Sequence, residues 1–158
     1  MKTRIALYFV ASHLVAAVVG FAAGIYALPI LIAPAAPTVS ELKAATAQVE
    51  FTGQFRRELK GSDALHWGEG TVSVSSDAIS LAGSLSPGPD YKLYLSKEFV
   101  ETEEDFKRLK PGMVRVGDVK TFKNFVVSVP AGVDTKNFST VIIWCETFNE
   151  FITAAKYR

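Results

Sequence analysis

Two spacings of apolar residues divide this chain. From Ile5 to Ala33 the apolar positions run almost unbroken: there is no Lys, Arg, Asp or Glu, and Ser12 and His13 are the only strongly polar side chains. A helix needs about 20 apolar residues to cross the hydrocarbon core of a bilayer, and this run is longer. It predicts one transmembrane signal-anchor helix over residues 1–33. Pro29, Pro34 and Pro37 mark its exit, since proline does not continue a regular helix without a kink. Ser40 is placed to cap a short helix from Glu41 to Gln48, where Leu42, Ala44, Ala45 and Ala47 favour helix. Residues 34–48 therefore read as a linker.

From Val49 the pattern changes to short runs separated by Gly, Pro, Asn, Asp and Ser. Gln48–Phe55, Gly70–Ser75 and Ala78–Leu85 alternate apolar and polar residues, with Ser76-Asp77 as a tight turn between the last two. Tyr91–Ser96, Met113–Lys120, Phe125–Val129, Thr140–Cys145 and Phe148–Ala154 follow as further strands. One helix interrupts them. Thr102-Glu103-Glu104-Asp105 resembles a capping box, Lys107, Arg108 and Lys110 suit the far end of a helix dipole, and Pro111-Gly112 stops the helix. Short strands at this spacing predict an all-β domain over residues 49–158, a β-sandwich or small barrel with one short helix.

Charge orients the anchor. Lys2 and Arg4 precede the apolar run and no charge follows it until Glu41. The positive-inside rule puts the N-terminus in the cytoplasm and the C-terminal domain outside, as a single-pass membrane protein. A cleaved signal peptide is the competing reading, with Ala33-Pro34-Ala35 as a faint cleavage site, but its apolar core would be shorter. Gly20 and Gly24 form a small-x-x-x-small pattern, which also arises from the general abundance of Gly and Ala in membrane helices. Formal net charge is +1, and without Lys2 and Arg4 the remaining 15 basic residues face 16 acidic ones. That balance argues against a nucleic-acid partner. The lipid bilayer is the partner the helix implies.

The residue set does not indicate an enzyme. It lacks a phosphate-binding Gly loop, a His-Glu-x-x-His helix and a nucleophile elbow, and no catalytic residue or metal site is assigned. Cys145 is the single cysteine, so no intramolecular disulfide and no multi-cysteine zinc site can form. It ends the run Val141-Ile142-Ile143-Trp144-Cys145, which is apolar at every position and predicts a strand covered on both faces. Cys145 shares a face with Val141 and Ile143, and Ile142 and Trp144 take the other. A buried cysteine behaves as a small apolar group, whereas a redox thiol must be accessible and partly ionised. His66, in His66-Trp67-Gly68-Glu69-Gly70, precedes a strand and could join Cys145 in binding haem iron or copper, although two such ligands are too few to specify a metal. Ser86-Pro87-Gly88-Pro89-Asp90 has the composition of a preset turn, with Asp90 able to bond backbone groups ahead of it.

Taken in order, these segments resemble the DM-thirteen domain, described as an electron-transfer-type domain. The resemblance rests on His66-x-x-x-Gly70-Thr71, on Gly88-Pro89-Asp90 before Tyr94-Leu95-Ser96, on Val129-Pro130-Ala131-Gly132-Val133-Asp134, and on Val141 to Cys145 with Phe148. It spans roughly Val49 to Ala155. It implies a β-rich extracytoplasmic domain in which Cys145 falls on a characteristic cysteine proposed to serve redox chemistry, with Trp144 as the preceding aromatic. The family commonly continues with Gly after Phe148 and later with Phe-Gly, where this chain has Asn149, Ile152 and Thr153. In animals such domains can accompany DOMON domains. This chain has no DOMON domain, haem motif or second cysteine, so an electron partner must be another molecule. Two functions follow. The first is a membrane-anchored redox or electron-transfer accessory using Cys145, with His66, Trp144 and Asp90 as its neighbours. The second is a non-catalytic extracytoplasmic binding or scaffold module with a buried structural cysteine. In either case the partner outside the membrane is a protein or small molecule of unknown identity.

Overall fold

Alternation along the strands decides the architecture. The computed structural model describes residues 2–158. A long helix α1 (Lys2–Ile32) and a short one α2 (Val39–Ala45) precede β1 (Phe51–Phe55), β2 (Gly68–Val74), β3 (Ala78–Leu85) and β4 (Tyr91–Ser96). Then come α3 (Glu103–Leu109), β5 (Val114–Val119), β6 (Lys123–Ser128), β7 (Thr140–Cys145) and β8 (Glu150–Lys156). The strands form two four-stranded antiparallel sheets, in the orders β1-β2-β3-β6 and β5-β4-β7-β8.

Between the sheets, Val72, Val74, Ile79 and Leu81 face Leu93, Leu95, Val141, Ile143 and Ile152, all fully buried. Each such side chain contributes roughly 1.5–3 kcal/mol through burial. Of the two predicted forms, the fold is a sandwich, but its edges meet. β1 lies along β8 and β6 along β5. Gly53 permits the first seam, since a Cβ there would sit 2.9 Å from the Lys156 carbonyl oxygen. Bringing the edges together shields strand groups that would otherwise be free to pair with another chain.

The expected split of β7 holds. Val141, Ile143 and Cys145 enter the core between the sheets, while Ile142 and Trp144 join Tyr94, Phe106 and Phe151 in a second cluster beneath α3. The Phe106 and Trp144 rings stack with centroids 3.9 Å apart. The α3 start is as predicted: the Thr102 hydroxyl accepts the Asp105 N–H at 3.2 Å.

Several boundaries differ from expectation. Pro29 lies inside the last turns of α1, which runs on to Ile32. Its missing N–H removes a single backbone bond, and the helix continues for three residues beyond it. The cap of α2 is Thr38, not Ser40: the Thr38 hydroxyl accepts the Glu41 N–H, and the Glu41 carboxylate accepts the Thr38 N–H at 2.7 Å. Ser40 has Lys43 three residues on, which cannot close that reciprocal pair. β8 starts at Glu150 and not Phe148, because Asn149 adopts φ 55° and turns the chain. The Ser76-Asp77 turn forms as expected, with the Ser75 hydroxyl accepting the Ala78 N–H at 3.0 Å.

The antiparallel order gathers four connections, residues 56–67, 86–90, 120–122 and 146–149, at one end of the sandwich. The chain leaves α1 at this end, where Ala33 and Pro34 lie beside Asp90–Lys92 and Asp118–Phe122. It then crosses the face of β3 and β6 through α2, with Leu42 buried, before entering β1 from the opposite end.

Candidate functional site: an apolar cleft over Cys145

Cys145 closes β7 at the end where α1 meets the sandwich. It pairs in register with Tyr91, and the Glu146 N–H donates to the Asp90 carbonyl at 3.1 Å. Residues 146–149 then fold back over the sulfur, helped by the left-handed Asn149. The thiol is only 2% exposed. Burial pushes its pKa up and the Asp90 charge adds to that, while backbone hydrogen bonding from Phe148, Asp90 and Thr147 acts against it. Burial is the larger effect, so the neutral thiol is favoured over the thiolate.

Above the sulfur lies a cleft of about 340 Å³. Leu65, His66, Pro87, Tyr91 and Phe148 line it from the sandwich, and Ala22, Ile25 and Tyr26 line it from α1. Local chemistry shapes each wall. Asp63 accepts the N–H groups of Leu65 and His66 at 2.7 and 2.8 Å and binds His66 Nδ1 at 3.0 Å, which fixes the loop that carries both residues. Gly88 lies against the Tyr91 ring, where a Cβ would stand 2.4 Å from the phenol oxygen. That contact, with Phe122 edge-on at 5.9 Å, holds the Tyr91 ring in place.

A family model, Electron transfer DM13, matches residues 54–157. The chain belongs to the electron transfer DM13 family. The match takes in every strand except the first residues of β1 and includes Cys145, while α1 and α2 precede it. No curated protein and no solved structure matches the chain.

Within this DM13 sandwich the residues singled out from sequence part company. His66 borders the same cleft as Cys145. Asp90 adjoins the sulfur through its backbone, but its carboxylate turns to Lys92 at 2.6 Å and to the Thr147 hydroxyl at 3.2 Å. Trp144 points to the opposite face of β7, under α3. It is a neighbour in sequence only, because successive strand residues alternate sides. Phe148, which belongs to the motif that ends the resemblance, also lines the cleft, as do Glu150 and Leu65, which no motif marked. Leu65 and Phe148 are 58% and 46% exposed. Glu150 shares a hydrogen bond with Glu103, and that bond, together with burial, raises its pKa. Lys92 sits between Asp90 and Asp118, 2.6 and 3.0 Å away; burial opposes its charge, but the two carboxylates raise its pKa. His66, Cys145 and Glu150 border one cleft without converging: among the described residues no group of three His, Cys, Asp or Glu is placed to hold a metal.

Proposed function

We propose that this DM13 domain is a membrane-anchored, extracytoplasmic redox accessory in which Cys145 is the reacting group. The observation that carries the reading is the position of Cys145 beneath the cleft. Membership of an electron-transfer family supports it. The apolar α1, with Arg4 on its N-terminal side, supports anchorage with the sandwich outside.

Exchange at this sulfur begins with loss of its proton. The thiolate attacks one sulfur of an external disulfide, forming a mixed disulfide and expelling the other sulfur as a thiolate. A second external thiol must then release Cys145, because the chain has no other cysteine. His66 and Glu150 are the titratable groups on the cleft wall available to take up or return the proton. Labelling of the folded full chain tests the reading. A small neutral thiosulfonate should modify Cys145 before unfolding, and a bulky maleimide should do so far more slowly. Complete protection from both until denaturation sinks the redox role.

The 2% exposure of Cys145 favours a second reading, a non-catalytic binding module with a structural cysteine. On that reading Cys145→Ala lowers stability by roughly 1–3 kcal/mol, as core truncations do, and removes no redox activity. A Cys145→Ala chain that stays stable but loses electron exchange with its partner excludes it.

A further inference from the structure

We infer that the Leu65–Phe148 end of the sandwich seats in the lipid interface of the membrane crossed by α1. The inference rests on the anchored reading above, and three observations carry it. First, α1 is longer than a membrane is thick. At ~1.5 Å per residue, about 20 residues cover the ~30 Å hydrocarbon core. Counted from Ile5, just past Arg4, the crossing ends near Gly24. The helix residues that lose exposure to the sandwich come next: Ile25 half-buried and Pro29 buried on one helix face, with Ala33 half-buried just past the helix end. The sandwich therefore meets α1 where the helix leaves the hydrocarbon, and Tyr26 falls at the level where aromatic side chains gather.

Second, the domain exposes its large apolar side chains at that place. Between Val49 and Arg158 the exposed large apolar residues are Leu65, Phe148 and, least of the three at 36%, Val126. Leu65 and Phe148 both line the cleft whose far wall is α1, and Phe148 also lies beside Gly20, Phe21 and Gly24. Their apolar surface is thus continuous with the apolar flank of the helix. An apolar edge joined to a spanning helix is covered most simply by the lipid that covers the helix.

Third, the charge at this end suits a headgroup layer. Lys120 stands beside Pro29, Ile32 and Pro34, and Lys123 begins β6 next to it. Both are exposed, and among the described residues neither lies within ion-pair distance of a carboxylate. Unpaired lysines next to an apolar edge bind anionic headgroups.

Depth-sensitive fluorescence of the full chain tests this. The chain is reconstituted in phosphatidylcholine–phosphatidylglycerol vesicles with or without brominated acyl chains. Phe148→Trp adds a reporter at the edge, and Lys97→Trp adds one at the far end, where Lys97 is exposed. Taken as the difference from the parent chain, whose own Trp67 and Trp144 set the background, the signal added by Phe148→Trp should be strongly quenched by brominated lipid, and that added by Lys97→Trp should not. Leu65→Trp provides a second edge reporter should the Phe148 variant fold poorly. Edge reporters quenched no more than Lys97→Trp, in a chain that resists alkaline carbonate extraction, overturn the inference and leave the anchor standing. A chain that carbonate strips from the vesicles overturns both.

Discussion

Gly88 shows how little room the cleft floor allows at single positions. Its missing Cβ is the space into which the Tyr91 ring folds. Gly88→Ala must displace that ring from the core, and overpacking of this kind costs roughly 1–3 kcal/mol. Chemical denaturation should show the loss, together with faster labelling of Cys145, because Tyr91 is paired directly across from it. A variant as stable as the parent would mean that the Tyr91 ring is not fixed. Glu150 gives a prediction with a definite sign. Its raised folded pKa means that the folded chain binds this proton more tightly than the unfolded chain does. Below the ordinary carboxylate pKa both states are protonated and the Glu103–Glu150 pair costs nothing. As pH rises from that value through the raised folded one, stability falls. Glu150→Gln should flatten that part of a pH–stability profile, and an unchanged profile would show that the two carboxyls do not share the proton. Cys145 and His66 were legible from sequence because their residue types are scarce and chemically distinct. Phe148 stood in a motif without a role, and Leu65 and Glu150 were not legible, because an exposed leucine or a strand-end glutamate looks alike in a site and on any surface. For the Leu65 loop the usable signal was Asp63, three residues before His66, which has the spacing of a side chain that binds the backbone ahead of it.

At the scale of elements, β3 and β4, with their alternation, and β7, with its unbroken apolar run, fall where the pattern puts them. The misread ends have local causes. β8 starts late because Asn149 takes a left-handed conformation, and α2 starts early because Glu41 answers Thr38. The all-apolar β7 announced two covered faces without saying what covers the outer one. That cover is α3, and a single ring does most of the joining. Phe106 is fully buried, stacks on Trp144 and meets Tyr94 edge-on at 5.2 Å. Phe106→Ala should therefore cost about 3–5 kcal/mol by the usual cost of emptying an aromatic site. Thr102→Ala, which removes only the cap, should cost about 1 kcal/mol. Urea unfolding of the two variants checks the order, and a larger loss for Thr102→Ala would mean that α3 is held by its cap and not by its ring.

At the scale of the molecule, the sequence announced an apolar helix and a β domain but not which end of the domain the helix meets. That depends on strand order, which pairs residues far apart in the chain. The helix leaves on the Cys145 side, and the linker doubles back over β3 and β6. Neither buried cluster contains a residue of α1. A chain beginning at Pro34 retains both clusters and the buried Leu42, so it should unfold at nearly the same denaturant concentration as the full chain in detergent. What it loses is one wall of the cleft, formed by Ala22, Ile25 and Tyr26. The thiol is then covered only by the Phe148 turn and the Leu65 loop, and a thiosulfonate should reach Cys145 faster than in the full chain. Equal rates at equal stability would show that the sandwich alone protects the sulfur. A shortened chain that fails to fold would show that α1 contributes to stability through Ile25 and Pro29, beyond forming the wall of the site.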